Sequence, residues 1–565
     1  MKSTILQKLL LLVILLCNNI IKAQPPSWTW ANKADGEYTT SAFATVIDDD
    51  DNVYVTGSIR TPAYIGSVLL QSYGDNDIFI AKYNKYGTLL WAKSAGGPVG
   101  AADSETGKSL AIGSDGSIYL AGFTFGLAHF DSITINTIPP YGSFFISKLD
   151  TMGNFQWVKY GGGHNGVNIT LDPVLSLCTD QQNNVYLSGF VGQNDSLIDT
   201  LYTDPMTSFY IMKLDASGNR KWTHFKKTTS NTFLWKRSGA DAAIDQSGNI
   251  VYTASLPREE MIGPTPYGYY NLLIGKVDST GSVLWEKEIG DTTVYEWWGE
   301  PRALTIGENN NIYIAGAFHK SFKLNPLVTE TSGGFCSKFD PSGNLMYSGI
   351  ISYSNMFGDH PLIHGCEFNQ SSVFITGTMF GHLDFGGDTL DADPLNANSD
   401  AFIAAYDSTL NLQYAVKFGQ REMDYGRCSA LNSHGSFVMG GAFGDTITFD
   451  SIQMYSTTSW PGIYQSFFIA AAIKSPTSVN DALPFAIDIK TFPNPVSDNL
   501  TIEAADKNAA YHVWLYSESF TVVKPLIRFK ETTVMELSGL ANGSYFLYIS
   551  DGDDNVLIKR IVVVH

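Results

Sequence analysis

The feature that most constrains this chain is a unit of about 65 residues that returns along most of its length. Each copy carries two hairpin signatures. In the first copy they are Ile47 to Gly57, with Asp48-Asp49-Asp50-Asp51-Asn52 at the turn, and Asp77 to Lys93, with Asn84-Lys85-Tyr86-Gly87 at the turn. Apolar and polar residues alternating on both sides of an Asp/Asn/Gly cluster predict strand, tight turn, strand, so each unit holds four strands. The glycine closing the second strand marks the copies as Gly57, Gly122, Gly189, Ala254 in a glycine's place, Gly316, Gly377 and Gly441, spaced 61 to 67 residues apart. The fourth strand carries Trp91, Trp157, Trp222 and Trp285, and then Tyr347 and Tyr414.

A lone four-stranded unit cannot bury both faces, so the copies must stack on one another. The chain ends decide between an open array and a ring. The seventh copy has a third strand, Phe467 to Ile473, but no fourth, whereas Trp30 to Gly36 matches Trp91 to Gly97 with no strands before it. An orphan fourth strand at one end and a missing one at the other imply a ring completed by both termini. The expected fold is all-β: a seven-bladed β-propeller over residues 24–474 closed by the N-terminal strand. A polar linker at 475–484 and a small Ig-like β-sandwich over 485–565 follow. In such a ring the short hairpin turns share one face. The long connections share the other, which is where function belongs.

Residues 1–23 place Lys2 and Lys8 before the apolar run Leu9 to Leu16 and end at Ala23-Gln24, which reads as a secretory signal cut between those two residues. Leu16 before Cys17 argues against a lipoprotein site. No later apolar stretch is long enough for a membrane helix. A net charge of −19 disfavours nucleic acid and anionic membranes as partners. Of the remaining cysteines, Cys178 and Cys366 hold equivalent places in distant units, Cys366 and Cys428 lie in adjacent ones, and Cys336 completes the set. Buried free thiols are the reading.

The motif Asp-x-x-Gly-Asn-x-Tyr-x-x-Gly, followed by Ile-Ala-Lys-Tyr/Leu-Asp-x-x-Gly-x-x-x-Trp-x-Lys, resembles the propeller repeats of the SBBP class of exported Bacteroidota-type proteins, over residues 28 to about 474. Past the linker, Pro493-Asn494-Pro495, the segment Leu537 to Tyr548 with Gly543 and Tyr545, and the final Lys559 to Val564 are similar to the type A C-terminal sorting domain of the type IX secretion system. That resemblance implies the type IX machinery as a partner, passage across the outer membrane, and release or attachment at the surface. The strands expected there are Ile487 to Phe492, Leu500 to Ala504, His512 to Tyr516, Thr533 to Leu537, Gly543 to Ser550 and Val556 to Val564.

Several clusters invite chemistry. Asp48 to Asp51 could hold calcium, but equivalent turns such as Ser433-His434-Gly435 lack the acids, and a solvated hairpin turn is the reading. His360 and His364 share a face only on a helix, which Pro361 opposes, so no metal site is assigned. Glu105, Glu300, Asp359 and Asp424 each precede a first strand, and recurrence from unit to unit points to loop capping rather than a catalytic pair. Tyr295-Glu296-Trp297-Trp298 breaks the repeat, with Trp235 before the neighbouring unit, and offers rings for stacking on a glycan or a surface protein. Gly161-Gly162-Gly163 ends a strand with no helix after it and is no phosphate cradle. The chain is therefore read as a non-catalytic, monomeric, exported binding or adhesion module without a cofactor. The alternative is a propeller enzyme acting on extracellular polysaccharide.

Overall fold

The computed structural model describes residues 25–474 and 489–565 apart from short stretches, the longest being 163–175, 229–238 and 290–297. The chain divides into two compact units, Met1–Lys474 and Ser475–His565.

The first unit is all-β, and its strands pair antiparallel in fours. Sheet I comprises Thr40–Ile47, Val53–Ile59, Asp77–Tyr83 and Leu89–Ala95; sheet II comprises Thr106–Ile112, Ile118–Thr124, Ser143–Leu149 and Phe155–Gly162. Sheet III runs from Ser176–Thr179 to Arg220–Lys227, sheet IV from Ala240–Ile244 to Val283–Ile289, sheet V from Trp298–Ile306 to Leu345–Ser354, and sheet VI from Leu362–Asn369 to Leu412–Phe418. Sheet VII takes Tyr425–Leu431, Phe437–Phe443 and Ser466–Ala472 from the end of the repeat and Trp30–Gly36 from its beginning. The register sets Trp30 opposite Ala471 and Lys33 opposite Phe468. In sheet I the equivalent pairing is Trp91 opposite Lys82. Sheet VII also packs on sheet I, where Phe79 and Phe467 stack with ring centroids 4.9 Å apart and Phe467 N–H donates to Thr40 Oγ1 at 2.7 Å.

The turns explain why Asp and Asn recur. Asp150 Oδ1 accepts the N–H groups of Met152 and Asn154, and Oδ2 accepts the Asn154 amide. Asp180, Asp215 and Asp340 repeat the pattern with Asn184, Asn219 and Asn344. One carboxylate thus pins the whole hairpin loop, which is the Asx-turn logic of such residues.

The tryptophans tie each sheet to the next. Trp30 Nε1 donates to Lys85 O at 3.0 Å, Trp91 Nε1 to Thr151 O at 3.2 Å, Trp157 Nε1 to Ala216 O at 3.1 Å and Trp222 Nε1 to Ser279 O at 3.1 Å. Every acceptor lies in the third-to-fourth turn of the following sheet. The glycine of that turn adopts positive φ, +78° at Gly87 and +88° at Gly281, and a methyl group added there would meet the incoming indole at 2.7 Å in both cases. Gly is required twice, by conformation and by space. In sheet VI this position is Leu410, at φ +65°. Tyr347 replaces the tryptophan of sheet V and is left 44% exposed. Sheet V thus loses its tryptophan where the turn of sheet VI loses its glycine.

Small hairpins between second and third strands are an addition to the expected four. Ala63–Ile65 and Val68–Leu70 of the first copy extend the edge of sheet VII through Ala34 opposite Ile65. Ser196–Leu197 with Thr200–Leu201 does the same for sheet II, and His382–Asp384 with Thr389–Asp391 for sheet V. Each covers a fourth-strand edge that would otherwise present unpaired backbone groups.

The second unit has two sheets around one core that includes Leu500, Ile502, Val513, Leu515, Leu547 and Ile561. One sheet joins Ile489–Phe492, Asn499–Ala504 and Thr532–Glu536; the other joins Val522–Phe529, Tyr511–Ser517, Gly543–Ser550 and Val556–Val563. Val522–Phe529 was absent from the sequence expectation because Pro525 interrupts its pattern. The structure keeps it at a sheet edge, where a missing N–H is tolerated. The Cys366 thiol hydrogen-bonds with Cys336 of sheet V. The four cysteines of the described residues are free.

Candidate functional site

Of the aromatic candidates, Trp235, Tyr295 and Trp297 lie outside the described residues. Trp298 opens the first strand of sheet V, opposite His319 and with one parallel bridge to Tyr270 of sheet IV. Ala23 and Gln24, together with Asn494 and Pro495, are also outside the described residues. Pro493 is exposed just after Phe492, Gly543 begins its strand, and Lys559 pairs with Leu547 in the C-terminal sheet. Tyr545 is buried, and its hydroxyl donates to Ala541 O at 2.9 Å, closing the preceding turn.

The acidic candidates are occupied by their own loops. Asp48 accepts the N–H groups of Asp50 and Asn52, the Asn52 amide and the Tyr54 hydroxyl. Glu105 accepts Gly97 N–H at 2.9 Å, Phe125 N–H at 3.3 Å and Thr124 Oγ1–H at 2.9 Å. Burial, with Asp77 nearby, pushes the Glu105 carboxyl up to about 8. Asp424 accepts Gly444 N–H and Gln420 N–H, and burial, with Asp400 nearby, holds its carboxyl well above the usual range. Glu300 is gripped by Arg302 through Nε and Nη2 at 3.2 and 3.0 Å. Asp359 and His360 are outside the described residues. Among the described residues, no three of His, Cys, Asp and Glu gather as metal ligands. Gly161 and Gly162 line an open groove of about 790 Å³ with Asn136, Tyr160 and Asp199, so the glycine run borders a surface concavity.

Sequence reasoning missed a feature of the first strands. In five sheets the register against the second strand slips at the same place, between Ala42 and Ala44, Gly107 and Ser109, Pro301 and Ala303, Ile363 and Gly365, and Gly426 and Cys428. Each slip is a β-bulge, which re-aims one side chain. The bulged residues are Phe43, Lys108, Arg302, His364 and Arg427. The last four are each partly exposed between two buried neighbours, as expected for side chains turned away from the sheet packing. They also converge. Lys108 Nζ sits 4.3 Å from the centre of the Phe43 ring and Arg427 Cζ sits 5.0 Å from it. His364 is pushed well below its ordinary pKa by burial and by Arg302, Arg427 and Lys108 around it, so it is a neutral imidazole. Fourteen residues before Gly122, Gly316 and Gly441, and thirteen before Gly377, a basic residue or histidine precedes a small one; that spacing was the available signal.

Two acids also lie on first strands, Asp241 in sheet IV and Glu367 in sheet VI. Asp241 Oδ2 accepts Leu304 N–H of sheet V at 2.7 Å and Oδ1 accepts Ala242 N–H at 2.8 Å; burial pushes its carboxyl up to about 6. Ser109 and Ser176 sit one position past the equivalent first-strand site and tie neighbouring sheets in the same way, through Leu177 N–H and Ala242 N–H. Asp241 is thus one of a series of lateral stitches. Glu367, accepting from Ser429 Oγ, is pushed up to about 8 by burial.

Fold and site together define an all-β repeat protein whose first strands turn cationic and aromatic side chains toward one another. A separate all-β unit follows. Residues 490–564 match the family described as the secretion system C-terminal sorting domain, which directs proteins to the cell surface or extracellular space. Among the described residues no helix is long and apolar enough to cross a membrane. The chain is 20% identical over 511 residues to an uncharacterised WD repeat-containing protein of Acanthamoeba polyphaga mimivirus, covering 73% of this chain and 36% of that one. It is 27% identical over 188 residues to the regulatory protein FlaEY of Caulobacter vibrioides, covering 32% of this chain and 18% of the relative. It therefore spans about a third or less of the curated relatives it matches. A solved glycoside hydrolase aligns with 80% of this chain and 94% of its own at 9% identity and a TM-score of 0.27, too low to carry an argument.

Proposed function

We propose that residues 24–474 form a seven-bladed β-propeller of the SBBP class, closed by the pairing of Trp30–Gly36 with Ser466–Ala472, and that it is an extracellular binding module for a glycan or a surface protein. The signal at residues 1–23 is removed before Gln24, the mature chain is a monomer, and the domain at 485–565 delivers it. The observation that supports binding over catalysis is the composition of the convergent first-strand set. Phe43, Lys108, Arg302, His364 and Arg427 supply donors and a ring face, while Asp241 accepts backbone N–H groups and Glu300 ion-pairs within its own strand. The reading also assigns Tyr295, Trp297, Trp298 and Trp235 to the ligand as stacking residues, on their sequence alone.

Glu367 favours a second reading, because a carboxyl held protonated near neutral pH is the state a general acid needs. A glycan array probed with the mature protein, followed by sugar-release assays on each hit, separates the two. Retention without release is expected. Release that is lost in Glu367→Gln would replace the binding module by an enzyme. Trp297→Ala combined with Trp298→Ala is expected to weaken adhesion without moving the melting midpoint; unchanged adhesion removes these residues from the site.

A further inference from the structure

The bulged cations are unusual in a chain of net charge −19. Arg302 has its own partner in Glu300. Arg427 does not: among the described residues no carboxylate pairs with it, and its Nε is closed off from solvent without a hydrogen-bond partner. Its neighbours are the Phe43 and Tyr425 rings, at 5.0 and 4.6 Å from the guanidinium carbon. Closing off a guanidinium N–H without an acceptor is costly, and an anion that accepts from it offsets that cost. Lys108 reaches the same Phe43 ring at 4.3 Å. Neutral His364 can add one N–H donor. The bulge recurs at one register in five sheets and re-aims the same position in each.

We propose that Arg427, Lys108 and His364 form an oxyanion site, built on the Phe43 ring, for a carboxylate or sulfate group. The planar guanidinium fork matches either group through two N–H donors, the ammonium adds a point charge, and the ring faces exclude water behind them. Arg302, neutralised by Glu300, borders the site. Asp241 is committed to the Leu304 and Ala242 amides. This inference rests on the binding-module reading and gives it a ligand class: an acidic saccharide, bound through its charged substituent. A free inorganic oxyanion has the same chemistry, so the test must separate the two.

Isothermal titration of the full mature chain in low-chloride buffer, with sodium sulfate, galacturonate and neutral galactose in turn, does so. Galacturonate and sulfate are expected to bind at a single site and galactose not at all. Arg427→Gln and Lys108→Gln are each expected to weaken the anions about tenfold, the loss of one charge-assisted contact, while Lys490→Gln in the C-terminal unit changes nothing. Melts of both variants show whether the fold is kept, and Lys108→Gln is the arm to read if Arg427→Gln unfolds. No anion binding by the wild type, or equal binding by folded Lys108→Gln, overturns the site. Sulfate binding without galacturonate binding keeps the site and assigns it to a free anion. A neutral glycan held equally well by wild type and Arg427→Gln overturns the site while leaving the binding module intact.

Discussion

Removing residues 24–36 from the mature protein should open the first unit, and the structure sets the size of the effect. The segment contributes four register pairs with Phe468 to Ala471 and a Thr29 N–H to Ala471 O bond of 2.8 Å. At ~1 kcal/mol net each, these five backbone contacts are worth about 5 kcal/mol. Trp28 and Trp30 are 7% and 8% exposed. Trp28 packs against Phe418, Phe437 and Phe449, and Trp30 against Tyr83. Burying the two side chains adds ~2 kcal/mol each. The sum, on the order of 9 kcal/mol, rivals the whole stability of an ordinary domain. Deletion also bares Ser466–Ala472 as an apolar edge that invites aggregation. Calorimetric melts of mature and shortened chains should differ by on the order of 10 °C or more. A midpoint unchanged within about 2 °C would refute the claim that the N-terminal strand holds the last sheet in place.

Further outcomes follow from particular contacts. Gly281→Ala, which drives a methyl into the Trp222 ring at positive φ, should cost roughly 3 kcal/mol, whereas Gly248→Ala, at φ +79° with nothing nearby, should cost roughly 1 kcal/mol of backbone strain alone; equal losses in urea titrations would remove the indole cradle from the account. Because the folded-state pKa of Glu105 is raised to about 8, its contribution to stability is full below the ordinary 4.5 and is lost as pH rises through about 8. Glu105→Gln should therefore flatten the fall in melting temperature between those pH values, and an unaltered slope would show that Glu105 is not its source. Glu286 has the opposite sign: held down to about 2, with His224, Tyr252 and Lys226 as its hydrogen-bond partners, it supports the fold above the ordinary 4.5 and ceases to as pH falls through about 2. Glu286→Gln should leave acid melts less steep. Deleting residues 485–565 should leave the protein in the periplasm; its appearance outside the cell would show a route independent of this domain.

The repeat was legible because its signals are local. An Asp or Asn pinning each turn, a glycine at positive φ and an alternating strand on either side lie within a dozen residues of one another, and the orphan Trp30 could be matched to Trp91 by eye. The edge hairpins were less legible: Ser196–Leu197 and Thr200–Leu201 are two residues each and gain their structure from the neighbouring sheet rather than from their own pattern. Val522–Phe529 was hidden by Pro525. The convergent first-strand side chains were invisible for a different reason. A β-bulge adds one residue to one strand without a turn residue to announce it, so Lys108, Arg302, His364 and Arg427 read as ordinary polar positions in four separate strands. Only pairing against the second strands reveals that all four are turned the same way.

Hydrogen exchange read by mass spectrometry on peptides spanning residues 28–36 and 466–473 tests the closure of the ring most directly. The two peptides should be protected to the same degree, and loss of residues 24–36 should deprotect 466–473 while sparing 143–149 of sheet II. Rapid exchange at 28–36 in the intact protein, or protection of 466–473 that survives the deletion, would contradict a last sheet shared by the two ends of the repeat.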